Sequence, residues 1–137
     1  MAQRIAAHDA LIYVMVIMAA ADRELSDTEL HRIGSLVQHL PIFRDFDTER
    51  LVPVAEECAA LLGPDEGLDM VLGMIGASLP VRLRETAYAV AVEIAAVDLK
   101  VGQEELRLLQ ILRDRLEIDK LVCAAIERGA RARYQTA

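Results

Sequence analysis

The sequence contains an internal repeat, which constrains its fold more than any other feature. Residues 14–37 align with residues 90–113 at an offset of 76, and eight of the 24 positions are identical. Matching apolar residues carry little information in a chain rich in alanine and leucine, whereas matching acidic residues carry more. The matching acidic pairs are Asp22/Asp98 and Glu29/Glu105. Each copy reads as an apolar helix, an acidic loop opened by Asp, and an amphipathic helix carrying the Glu, which predicts two similar units packed together.

The hydrophobic pattern predicts a single all-α domain over residues 1–137, with about seven helices. Hydrophobic residues make up 54% of the chain and aromatic residues only 4%, which favours an aliphatic core of packed helices over sheets. Capping residues, glycines and prolines place the predicted helices at about 4–21, 27–40, 48–62, 64–79, 81–97, 103–116 and 120–134. Ile118-Asp119 resembles Phe46-Asp47, so the repeat extends into a third helix in each copy. The fourth helix would then join two three-helix units related by a pseudo-twofold axis in a compact bundle.

The first and fifth predicted helices lack a polar face, which predicts that they lie at the centre of the bundle. The amphipathic second and sixth helices should pack on them. The residues predicted to make these contacts are Leu30, Ile33, Val37, Leu106, Leu109 and Leu112. Glu93 interrupts the apolar run of the fifth helix, and we expect it to pair with Arg82 or Arg84 or to reach solvent at the bundle edge.

Charge and cysteine content narrow the class of protein. The formal net charge is −7, so the chain would repel nucleic acid. Cys58 and Cys123 lie in apolar runs without CxxC spacing, which predicts buried, unpaired thiols in a reducing compartment. We find no signal peptide, and no charge-free run exceeds twelve residues, too few to span a bilayer. These features predict a cytoplasmic protein without a transmembrane segment.

The two acidic loops are the best candidate for a functional site. The first loop supplies oxygen-bearing side chains within eight residues, from Asp22, Glu24, Ser26, Asp27 and Glu29. Hard cations such as Ca²⁺, Mg²⁺ and Mn²⁺ prefer such ligands. The second loop is the weaker ligand because Lys100 takes the position of Glu24. Neither loop has the spacing of an EF-hand, and an alternative remains open in which these residues only cap the helices that follow.

The loops also carry a family resemblance. The segments MAAADRELSDTEL and IAAVDLKVGQEEL resemble the twice-occurring A-D-G-x-[IV]-[ST]-x-x-E signature of the tellurite-resistance TerB family. This resemblance implies an all-helical domain, a stress-response context and divalent metal binding at the acidic loops. A related domain acts as an interaction module in a membrane-anchored J-domain co-chaperone. The family's acidic positions carry over to Asp22, Glu29, Asp98 and Glu105. Arg23 and Leu99 replace the signature glycines, and Gly102 replaces the second Ser or Thr.

Three hypotheses about function follow. The first is a TerB-like helical interaction module with an unidentified protein partner, binding Ca²⁺, Mg²⁺ or Mn²⁺ at its paired loops. The second is a purely structural domain, or the subunit of a homo-oligomer, without a metal site. The third is a metal-dependent hydrolase that uses clustered acids. The sequence has no Gly-rich phosphate loop and no nucleophilic Ser or Cys motif, so we assign no catalytic or cofactor-binding residue.

Overall fold

A computed structural model describes residues 3–21, 26–96 and 102–137 of the chain. These residues form seven α-helices and three short 3₁₀ turns, without a strand. The helices are α1 (Ala7–Ala19), α2 (Asp27–His39), α3 (Leu51–Leu62), α4 (Gly67–Ser78), α5 (Arg84–Ala96), α6 (Gln103–Leu116) and α7 (Lys120–Arg133). The 3₁₀ turns are Pro41–Phe43, Thr48–Arg50 and Val81–Leu83. The prediction of an all-α fold is confirmed.

Two predicted boundaries differ from the structure for local reasons. The third helix does not run unbroken from Thr48, because a 3₁₀ turn precedes α3 and places Pro53 in its first turn. A proline there removes no intrahelical hydrogen bond. The fourth helix begins at Gly67 rather than Pro64, after a tight corner. A Cβ atom at Gly67 would clash with the carbonyl oxygen of Leu61, so the corner requires a glycine.

The helices form two matching layers around a central pair. Helices α1 and α5 pack against each other, as predicted from their missing polar faces. Helices α2 and α3 pack on α1, and α6 and α7 pack on α5, so each unit repeats the same arrangement. Helix α4 contacts α1, α3 and α6. Every residue from Ala10 to Met18 is at most 2% exposed, which places α1 in the middle of the core.

The prediction that Leu106 lies in the core is wrong. Leu106 is 54% exposed, whereas Leu109 and Leu112 are buried as predicted. Helix α6 packs on α4 as well as on α5, so its buried stripe includes Leu108 and turns away from Leu106. In the first unit Ile33 and Val37 are buried, and the counterpart Leu30 is partly buried against the core.

Cys58 and Cys123 are both buried and unpaired, as predicted. Burial raises the pKa of the Cys58 thiol to about 12, with the nearby Glu57 carboxylate as a smaller cause.

Among the helices that the structure describes, none is long and apolar enough to cross a membrane.

Candidate functional site

The candidate acidic residues divide between described and undescribed parts of the chain. Asp22 and Asp98, which open the two loops, lie outside the described residues, as does Lys100. Glu29 and Glu105 lie in the first turns of α2 and α6, immediately after the loops.

Both helices after the loops begin with a capping interaction. The Oγ of Ser26 accepts a hydrogen bond from the backbone N–H of Glu29 at 3.1 Å. In the second unit, the backbone N–H of Gly102 donates to Oε1 of Glu105 at 3.4 Å. These contacts are the two halves of a capping box, one in each unit. The predicted capping role therefore exists at both loops, and it uses Oε1 of Glu105.

Glu29 retains an oxygen that capping does not use. Its Oε2 is buried and has no hydrogen-bond partner among residues 3–21, 26–96 and 102–137. A buried acceptor without a partner loses its hydration without compensation, which costs more when the group carries a charge. The oxygen belongs to the residue whose position matches the family signature. A cation or a donor from the adjoining loop would satisfy it.

The described residues that flank the two loops line one shared cavity of about 660 Å³. Ala20 and Ala21 precede the first loop, and Gln103 and Glu104 follow the second. The wall between them is largely apolar and comes from α1, α3, α4 and α6. Its remaining lining residues are Ile17, Leu62, Leu68, Arg107, Leu108 and Ile111. The stem of one loop and the stem of the other therefore lie on the same side of the molecule.

In the part of the chain that the structure describes, no three His, Cys, Asp or Glu residues are grouped to hold a metal ion. His8 lies 2.7 Å from the carbonyl oxygen of Ile42, and its ring stacks at a tilt on Phe43. The Nδ1 of His39 lies 2.7 Å from the carbonyl oxygen of Ser35. These two imidazoles are used within the fold.

The carboxylate in α5 has different partners from those predicted. Glu93 accepts a hydrogen bond from the Tyr134 hydroxyl at 2.5 Å and forms an ion pair with Arg133. The predicted pairing with Arg82 or Arg84 is wrong, because the guanidinium of Arg84 donates to the carbonyl oxygen of Leu116 at 3.2 Å. The partners of Glu93 lie about 40 positions away in the sequence, so spacing within one helix could not identify them.

A second polar network, which the sequence analysis missed, joins the helices of the second unit. The hydroxyl of Tyr88 donates to Oε2 of Glu127 at 2.5 Å, and Arg113 approaches the same oxygen at 3.2 Å. Burial and the hydrogen bond to Glu127 raise the pKa of Tyr88 well above its usual range. An apolar counterpart, Ile12, occupies the matching position in the first repeat. This difference between the two repeats, a tyrosine in place of an isoleucine, is the sequence feature that could have predicted the network.

A comparison with known protein families identifies the family of this chain. The family model described as "Tellurite resistance protein TerB" matches residues 8–128. Neither a curated protein nor a solved structure matches the sequence. The match spans both acidic loops and all the helices, apart from the first residue of α1 and the last five residues of α7. The chain therefore belongs to the TerB family.

Proposed function

We propose that this chain is a TerB-type helical interaction module that binds a divalent cation at its two acidic loops, in a cytoplasmic stress- or tellurite-response system. The observation that carries the cation proposal is the buried Oε2 of Glu29, which lacks a partner among the described residues. Membership of the TerB family supports the helical module and the stress context. The unpaired buried thiols support a reducing compartment.

The residues proposed to hold the cation are Asp22 and Glu29, assisted by Asp98 and Glu105 of the second loop. All four are carboxylates, which suit Ca²⁺, Mg²⁺ or Mn²⁺. A bound cation would offset the repulsion among these carboxylates. The shared cavity supports joint action, because residues next to each loop line it. In this proposal the protein chain contributes oxygen ligands and a rigid pair of helices, and the ion links the two units.

Thermal unfolding with and without Ca²⁺, Mg²⁺ or Mn²⁺ tests the proposal. A ligand that binds only the native state stabilises it by about 2.7 kcal/mol at one hundred times its Kd. For a domain of 137 residues, this stabilisation raises Tm by about 9 °C. This rise in Tm on adding the cation should disappear in Asp22→Asn, and it should be only partly reduced in Asp98→Asn. Asp45→Asn is the matched control, because Asp45 is an exposed acid outside both loops.

Glu29→Gln distinguishes a cation from an internal donor. Without added cation, this variant should unfold no more easily than wild type, because it replaces an uncompensated buried charge by a neutral amide. With cation it should gain no stability. Arg23 is the alternative internal partner, which would make the module metal-free. Absence of any cation-dependent shift, together with a loss of stability in Arg23→Gln, would reject the cation and favour this alternative.

A further inference from the structure

The second unit carries an open groove lined by residues of α5, α6 and α7. A cavity of about 560 Å³ lies between α6 and α7, which both pack on α5 and are joined by the ion pair of Arg113 with Glu127. We call this cavity the second-unit groove. Its apolar part includes Val92, Leu106 and Leu109, and Arg113, Arg128 and Arg131 line it as well. It shares no lining residue with the cavity beside the acidic loops.

The internal repeat provides a comparison for this groove. In the first unit, Gly34 of α2 lies next to Leu51 of α3, since a Cβ atom at Gly34 would lie 3.5 Å from Cδ2 of Leu51. The matching residues in the second unit are Gln110 and Cys123, a larger residue on one helix and a smaller one on the other. Leu106 is 54% exposed, whereas its counterpart Leu30 packs against the core. The second unit thus leaves Leu106 more exposed than its counterpart Leu30 in the first unit.

The charge of the groove also differs between the repeats. Arg113, Arg128 and Arg131 occupy positions that are Val37, Glu56 and Ala59 in the first unit. The carboxylate of Glu127 is engaged by Arg113 and the Tyr88 hydroxyl. Arg128 and Arg131 are exposed and form no ion pair with the described residues. The end of a helix favours basic residues, but that preference does not explain the exposed leucine beside them.

We propose that the second-unit groove binds an acidic amphipathic helix of a protein partner. Its apolar side chains would pack on Leu106, and its carboxylates would pair with Arg128 and Arg131. A channel between two helices that rest on a third suits a helix with an apolar face. Charge favours an acidic partner at this groove, because the exposed Arg128 and Arg131 line it although the net charge of the chain is −7. This proposal rests on the interaction-module part of the proposed function and uses none of the cation residues.

Fluorescence anisotropy with the full chain tests the proposal. The probe is a fluorescein-labelled designed helical peptide with leucines on one face and glutamates on the other. A second peptide carries lysines in place of the glutamates. The acidic peptide should bind, and the basic peptide should not. Leu106→Ser should weaken binding about tenfold, and the double variant Arg128→Glu with Arg131→Glu should weaken it at least about tenfold. Added salt should weaken it further.

Matched controls separate the groove from the general surface. Leu121→Ser changes a leucine that is 80% exposed and lies outside the groove, and Arg82→Glu reverses an exposed charge elsewhere. Both variants should bind like wild type. Asp22→Asn should also bind normally, so loss of cation binding and loss of peptide binding are distinguishable. Peptide binding with unchanged affinity in Leu106→Ser and in the double arginine variant would overturn the proposal.

Two further measurements assign the groove to other occupants if the proposal is wrong. A concentration-dependent dimer in sedimentation, abolished by Leu106→Ser, would identify a second copy of this chain as the occupant. Binding to phosphatidylglycerol vesicles that requires Arg128 and Arg131, without binding of the acidic peptide, would identify an anionic lipid surface. No binding of the acidic peptide to wild type at low salt overturns the proposal as well.

Discussion

Replacing Leu112 by alanine should destabilise the protein far more than the same change at Leu106. Both leucines lie in α6, but Leu112 is 0% exposed and Leu106 is 54% exposed. Removing a buried leucine side chain costs its transfer free energy and leaves a cavity, for a total of about 2–5 kcal/mol. At Leu106, about half of the transfer free energy is lost and solvent fills the space, so the cost should stay near 1 kcal/mol or below.

These magnitudes convert to separate shifts in thermal stability. Unfolding entropy scales with length, and for 137 residues a loss of 1 kcal/mol lowers Tm by about 3.5 °C. Leu112→Ala should therefore lower Tm by about 7–17 °C, and Leu106→Ala by about 3 °C or less. Urea unfolding followed by circular dichroism measures the same free energies directly. Helix propensity does not confound the comparison, because both substitutions replace leucine by alanine inside one helix.

The relative stabilities of the two variants test which residues form the buried stripe of α6. Equal destabilisation of Leu106→Ala and Leu112→Ala would mean that the buried stripe of α6 is assigned wrongly. It would also remove the exposed leucine on which the second-unit groove depends. A wild-type midpoint for Leu112→Ala would contradict the burial of α6 on α5.

Three other predictions use separate features. At about pH 8 neither Cys58 nor Cys123 should react with iodoacetamide in the native protein, because burial raises the pKa of each thiol and blocks access of the reagent. Both thiols should react after unfolding, and mass spectrometry measures the difference. Burial raises the pKa of Tyr13 to about 12, so stability should fall as pH rises from about 10, where the unfolded phenol ionises, to about 12, and a flat urea midpoint over that range would refute this. Ser26→Ala should cost about 1 kcal/mol because Ser26 accepts the Glu29 N–H, whereas Asp119→Ala should cost less because the Asp119 side chain makes no capping bond.

Several structural features could be predicted because they depend on short-range pattern. Helices α1 and α5 have no polar face, which predicts that they lie at the centre of the bundle, and in the structure they pack against each other. An aspartate before a helix accepts backbone N–H groups, and the side chain of Asp47 accepts a hydrogen bond from the backbone N–H of Glu49 at 3.0 Å, at the start of a 3₁₀ turn. The repeat predicted two similar three-helix units, and in the structure α3 packs on α1 as α7 packs on α5.

Features that depend on contacts between distant residues could not be predicted. The sequence shows that Leu106 is apolar and in phase with Leu109, but only the contact of α6 with α4 turns Leu106 toward solvent. Likewise, Glu93 meets Tyr134 at a separation of 41 residues, which no helical spacing encodes.

The sequence by itself determined the helical class, the internal repeat and the acidic residues of the candidate site, because helix periodicity and capping act within a few neighbouring residues. Only the tertiary structure decided that the stems of the two loops line one cavity and that the second unit leaves its groove open. Both outcomes depend on the direction in which whole helices pack. That direction results from the combined shape of many side chains rather than from any local motif.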